Sequence, residues 1–207
     1  ITGVFIPATT AILSTDTALL QLSERLLYYV KTETPTDEIE TALSGMDKKR
    51  LRNGLDSDAA KKTFWVNIYN AWYQLLAGRE KMKSPAIFTE RKISVAGFLF
   101  SLDEIEHGIL RRDWNRLKKG NAADINQKKL IQQFAVTKTD YRIHFALNCG
   151  ARSCPPIAFY TYLQIDRQLD VATRSFMHNN TKIDDARKEV TVTQLIEWFI
   201  KDFGGEK

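Results

Sequence analysis

The chain has 207 residues, with 30 Lys and Arg against 25 Asp and Glu, a formal charge of +5. Its 43% hydrophobic and 27% charged content excludes wholesale disorder, collagen and a chain-long coiled coil, and its length suits one domain. No segment offers the roughly 20 apolar residues of a membrane span, so no integral membrane segment is expected.

Residues 16–31 place Leu19, Leu20, Leu22, Leu26 and Leu27 at helical spacing, with Thr15 or Asp16 as N-cap. Thr36-Asp37-Glu38 opens a second short helix that ends near Gly45, and the charged residues 46–62, with Gly54 among them, read partly as loop. Residues 63–76 form a helix that is apolar around most of its circumference, the mark of a buried helix. Asn67, Asn70 and Gln74 share its remaining stripe. They are either an uncharged solvent-facing strip or amides that face a cleft or clamp a loop.

Ile93-Ser94-Val95 and Phe98-Leu99-Phe100 flank Ala96-Gly97 as a tight β-hairpin. Ser101-Leu102-Asp103-Glu104 matches a capping box, and the helix it opens runs to about Leu117, with Gly120 as its stop and 121–124 as loop. Alternation from Tyr141 to Cys149 predicts a central strand, ended by Gly150 and by Pro155-Pro156. A helix follows from Thr161 and Gln164 to about Met177, then a hairpin around Asp185-Ala186-Arg187. Thr193 opens a last helix carrying Leu195, Ile196, Phe199, Ile200 and Phe203.

Lys48-Lys49-Arg50-Leu51-Arg52 and Arg111-Arg112 are the densest basic clusters. The other cations are scattered among acids, so these clusters read as solvated surface and no nucleic-acid partner is expected. Two cysteines are too few for a disulfide scaffold. No charged and apolar leader precedes Ile1, so no signal peptide is expected within this chain.

The candidate chemistry gathers on two segments. His107 points away from its own helix's apolar stripe, and on that wheel Glu104 and Arg111 share its face. Cys149 stands where the expected strand meets a glycine-containing turn, a geometry that can present a nucleophile beside free backbone N–H groups. His107 or His144 would supply the base, with Arg152 as an electrostatic helper. Cys149 is equally readable as a small buried hydrophobe or as half of a disulfide with Cys154. The His and Cys spacing is poor for zinc, and no metal or cofactor is expected. No glycine-rich phosphate cradle or dinucleotide fingerprint occurs.

Three blocks carry a family resemblance. They are Phe64-Trp65-Val66-Asn67-Ile68-Tyr69-Asn70-Ala71, then residues 101–111 from Ser101 to Arg111, then residues 142–156 from Arg142 to Pro156. Together they resemble the signature of the domain of unknown function 547 family, over about residues 60–205. On that basis the chain divides into a helical extension over 1–60 and a family core over 61–205 of one domain. The resemblance implies bacterial, exported relatives, hence a periplasmic or extracellular setting. Its Asn, Glu, His and Cys resemble the equipment of papain-like or transglutaminase-like cysteine enzymes, in an order that requires a permuted connection.

The expected fold is α+β, a short antiparallel sheet surrounded by several helices. The first expected function is a cysteine-dependent hydrolase or acyl transferase acting on a peptide or small molecule. Cys149 is then the nucleophile, His107 the base, and Asn70 or Glu104 the group that orients the imidazole. Asn67, His144, Arg111 and Arg152 would bind. The alternative is a non-catalytic binding module with a structural Cys149–Cys154 disulfide. Oligomeric state is not readable from these patterns.

Overall fold

The computed structural model describes residues 15–117, 125–150 and 154–206. The chain opens with four helices: α1 (Thr17–Lys31), α2 (Asp37–Ser44), α3 (Lys48–Gly54) and α4 (Asp58–Gly78). Asp16 caps α1 by accepting the Leu19 N–H at 2.9 Å. Residues 46–62 hold more helix than expected. Asp47 caps α3 through the Arg50 N–H, and Leu51 and Leu55 are buried, so one apolar pair holds a charged segment on the core. α4 is longer than its apolar stretch because Ser57 caps it a turn and a half earlier.

α4 is the central element, and α1 packs along it. Phe64, Trp65, Val66, Ile68, Tyr69, Ala71 and Leu76 are fully buried on all sides of the helix. They join Leu19, Leu20, Leu26 and Leu27 of α1 in one continuous core. At about 25 cal/mol per Å² of apolar surface removed from water, burying each such leucine stabilises the fold by about 1.5–3 kcal/mol.

After α5 (Ala86–Thr89) comes the expected hairpin, β1 (Ile93–Val95) with β2 (Phe98–Phe100), in antiparallel register Ile93 to Phe100. A π-helix follows (Glu104–Leu110), then α6 (Trp114–Leu117) and α7 (Ile125–Phe134). A 3-10 turn (Tyr141–Phe145) and another (Tyr162–Gln164) lead into α8 (Ile165–Asn180). A second hairpin, β3 (Lys182–Asp184) with β4 (Glu189–Thr191), and α9 (Gln194–Trp198) close the chain. The fold is therefore α+β, with helices around two separate two-stranded antiparallel sheets. Among the described residues no sheet exceeds two strands, so no papain-like or transglutaminase-like arrangement can be traced. No helix of the described residues is long and apolar enough to cross a membrane.

Two expectations are corrected. Residues 141–149 are not a strand: Ile143, His144, Phe145, Ala146 and Leu147 are all buried, which alternation forbids. The cause is local. Asp140 accepts the Arg142 N–H and N-caps a 3-10 turn, and the Arg142 guanidinium folds back onto the same carboxylate. The helix expected over 102–117 is broken, because the backbone widens to i→i+5 bonding and Arg112 then turns into the left-handed region at φ 56°. The expected stop at Gly120 and loop over 121–124 lie outside the described residues.

Candidate functional site

The π-helix decides what faces the site. The Arg111 N–H donates to the Glu106 carbonyl, five residues back, so the helix carries an extra residue per turn. Asp103, Glu106 and His107 then line one cleft of about 250 Å³. Tyr69, Phe88, Arg116, His144, Phe199 and both cysteines contribute to it as well.

Glu104 is not among these residues. It completes the capping box, giving Ser101 Oγ the Glu104 N–H at 3.1 Å and accepting the Ser101 N–H at 3.0 Å. Its carboxylate also receives Arg91 Nε at 2.9 Å and Gln127 Nε2 at 3.1 Å. All its lone-pair capacity serves the fold, so the expected role of orienting an imidazole finds no contact here.

His107 is 5% exposed, and Arg111 Nη1 stands 2.7 Å from its Nδ1. A guanidinium can only donate, so Nδ1 accepts and the neutral ring carries its proton on Nε2. Among the described residues that Nε2–H makes no hydrogen bond, and Asp103 Oδ1 stands 3.7 Å from it. Burial pushes the imidazole's pKa down to about 2, assisted by the positive charges of Arg116 and Arg111. His107 is thus a fixed neutral donor at the cleft.

Arg111 is a hub. Its Nε donates to Asp202 Oδ2 at 2.5 Å, and its guanidinium lies 4.5 Å over the Phe199 ring. His144, 4% exposed, also stacks on Phe199, with ring centroids 4.0 Å apart and planes 14° from parallel. Burial pushes the Asp202 carboxyl up, but hydrogen bonds from His144 and Arg111 outweigh it and hold the group below its ordinary range. His144 Nε2, 2.8 Å from this carboxylate, is therefore its donor. Burial also lowers the His144 pKa, against the pull of Asp202.

The cleft carboxyls behave oppositely. Burial raises Glu106, although Arg111 and the Tyr69 hydroxyl, which donates to Glu106 Oε2 at 3.1 Å, favour its anion. Burial likewise raises Asp103.

The carboxamide stripe of α4 clamps two loops. Asn70 Nδ2 donates to the Ala146 carbonyl and its Oδ1 accepts the Asn148 N–H, both at 2.9 Å. Asn67 treats Tyr160 the same way, donating to its carbonyl at 2.7 Å and accepting its N–H at 3.2 Å. Each amide replaces a strand partner for a backbone that has none. Gln74 is half-buried and donates to the Asn70 carbonyl.

The clamped loop carries Cys149, which is exposed and joined to Cys154, five residues on. Asn148 fastens its base, donating to the Pro155 carbonyl at 2.7 Å and accepting the Gly150 N–H at 2.9 Å. Gly150 sits at φ +76° against Tyr73, and a Cβ there would collide with the Tyr73 hydroxyl.

Of the residues singled out from sequence, His107, His144 and Cys149 meet at the cleft, and Arg111 lies behind His107. Asn67 and Asn70 hold the surrounding backbone, with their amides engaged by main chain and not by an imidazole. Arg152 lies outside the described residues. Sequence reasoning missed Asp103, Glu106, Tyr69 and Asp202. Asp103 and Glu106 precede His107 by four residues and one, a signal that a wheel at 3.6 residues per turn obscures and a π-helix reveals. Asp202 had no signal short of tertiary structure. Among the described residues, no group of three or more His, Cys, Asp or Glu could hold a metal ion.

No curated protein and no solved structure matches this chain. A family model does, over residues 53–177, which takes in the three signature blocks and stops short of the C-terminal part of the span expected from them. The chain belongs to the family described as protein of unknown function, DUF547.

Proposed function

We propose that this chain is a ligand-binding domain whose cleft between the π-helix and the Cys149–Cys154 loop holds a small organic molecule with a hydrogen-bond acceptor oxygen. The observation that carries this reading is the buried His107, whose Nε2–H borders the cleft with no hydrogen-bond acceptor among the described residues. A donor so placed is free to meet a ligand's acceptor oxygen. Phe88, Trp198 and Phe199 offer apolar wall, and Glu106, Asp103 and Arg116 offer polar anchors around it. The bridged cysteines suit an oxidising compartment, which agrees with a periplasmic or extracellular setting.

The test is a fragment screen read by the ¹⁵N shift of the His107 imidazole. Acceptor-bearing fragments should move that resonance, and His107→Phe, which fills the cleft mouth with carbon, should abolish their binding. Hits that survive His107→Phe unchanged would sink the reading.

A cysteine-dependent hydrolase or acyl transferase is the second reading, favoured by Cys149 and His107 lining the same cleft. It requires the Cys149–Cys154 bond to be reduced and the His107 proton to move to Nδ1, breaking the contact with Arg111. After reduction, Cys149 should then alkylate faster than Cys154, and His107→Ala should remove that advantage. Equal rates in both proteins exclude it.

A further inference from the structure

A second depression is lined in part by Arg111. It is about 540 Å³ and broadly open, and four cations line it, Arg111, Arg112, Lys138 and Lys201, against one carboxylate, Asp202. Trp114 forms part of its wall. Elsewhere Arg50, Lys62, Arg79 and Arg142 each have a carboxylate partner within 3 Å. Among the described residues the Lys138 and Lys201 ammonium groups have none within 4 Å. Asp202 is already committed to Arg111 and His144.

The backbone beneath these cations is pinned from three directions. The Asp58 carboxylate accepts the Thr137 N–H and hydroxyl, each at 2.7 Å, and the Lys138 N–H at 3.2 Å. Thr139 Oγ1 donates to the Arg111 carbonyl at 2.8 Å. Arg112 holds the left-handed conformation, rare for a residue with a Cβ, and its guanidinium donates to the Thr137 carbonyl. Backbone held in a sparsely populated conformation is characteristic of ligand clamps.

We propose that this depression binds a phosphate group, held by Lys138, Lys201 and Arg112 at its rim and by Arg111 at its base. Four cations converging on one space suit a compact multivalent oxyanion better than a monovalent one. A phosphomonoester and free phosphate share this chemistry.

The experiment is calorimetric titration of the full chain at constant ionic strength with four probes: inorganic phosphate, a simple alkyl phosphomonoester, acetate and chloride. Phosphate is expected to bind saturably with one-to-one stoichiometry, and acetate and chloride are not. A tighter phosphomonoester than phosphate assigns an organic phosphate as the ligand, and the reverse assigns the free ion. The K138E/K201E double variant, checked for folding by circular dichroism, should weaken phosphate at least about tenfold. Among the described residues neither lysine ammonium has a hydrogen-bond or ion-pair partner, and neither residue lines the cleft, so this variant leaves the cleft intact. Chloride or acetate competing as well as phosphate, or a folded double variant that binds like the wild type, overturns the proposal.

Discussion

Acidification should destabilise this protein through His107, whose ring is neutral in the fold. The ring is buried and neutral, and its folded pKa is pushed down to about 2, whereas the unfolded chain titrates near the ordinary value of about 6.5. A folded pKa below the unfolded one means the unfolded state binds more protons as the pH falls. The stability is therefore complete above about pH 6.5 and declines as the pH drops toward the folded value. The limiting slope is about 1.4 kcal/mol per pH unit, which integrates to about 2.3 kcal/mol between pH 6.5 and 4.5 because the unfolded ring is half protonated at pH 6.5. His144 contributes in the same direction. Glu106 and Asp103, whose pKa values are raised, gain protons on folding and oppose it. A comparison of variants removes that interference. His107→Gln is neutral, can still accept from Arg111 and can still present an N–H toward the cleft, so only the titration disappears. Urea denaturation from pH 7 to 4.5 should show the variant's stability falling more gently than the wild type's by close to one proton's slope. Parallel curves, or a His107 imidazole that titrates near 6.5 by NMR, would refute both the burial argument and the neutral donor at the cleft.

Three further perturbations follow from the geometry. Asn70→Ala strands a buried carbonyl and an N–H of the cysteine loop and should cost about 2–4 kcal/mol in denaturant titration, where a loss under about 0.5 would contradict the clamp. Glu104→Ala breaks the capping box and the Arg91 ion pair together, and the melting temperature should fall by an amount corresponding to about 2–3 kcal/mol. Asp140 sits between Lys62 and Arg142, whose hydrogen bonds outweigh the upward push of burial and hold its carboxyl below the ordinary range. That stabilisation is present above about pH 4 and lost in stronger acid, so Asp140→Asn should cost about 2–3 kcal/mol at pH 7 and far less near pH 2.

Much of the fold was legible because its signals were local. The Asp16 cap, the hairpin at Ala96-Gly97, the Ser101–Glu104 capping box and the hairpin near Asp185 each depend on residues within a few positions of one another. The buried amides of α4 were legible for another reason: a carboxamide among aromatics has few places to go, and clamping main chain is one of them. Two sequence arguments failed where the backbone departed from a regular period. The alternation of residues 141–149 was outweighed by one aspartate, since Asp140 could bond the next turn more cheaply than a distant strand could. On the segment after Ser101, a wheel at 3.6 residues per turn grouped Glu104 with His107, whereas the π-helix turns Glu104 to the fold and Glu106 to the cleft. The Arg111–Arg112 cluster read as solvated surface, yet Arg111 is buried, because its counter-ion Asp202 lies ninety-one residues away and leaves no trace near it.

That distant counter-ion bears on what the family segment can do by itself. Residues 53–177 contain His107, Glu106, Tyr69, His144 and the cysteine loop, the whole polar side of the cleft. Leu195, Trp198 and Phe199, which form much of the apolar side, come from beyond it, as does Asp202. Without Asp202, Arg111 would lose its shortest contact with an acid and keep Asp113 at 3.6 Å and the His107 Nδ1 lone pair. A buried cation so weakly paired costs stability, which favours its turning to water and taking the His107 contact with it. The donor that defines the cleft therefore depends on a carboxylate outside the matched segment, and so does the shape of the wall facing it. The polar chemistry and the apolar selection of a ligand are carried by different stretches of chain, joined at Arg111. Arg111 also lines the basic depression, so an anion there would act on the side chain that holds His107 at the cleft.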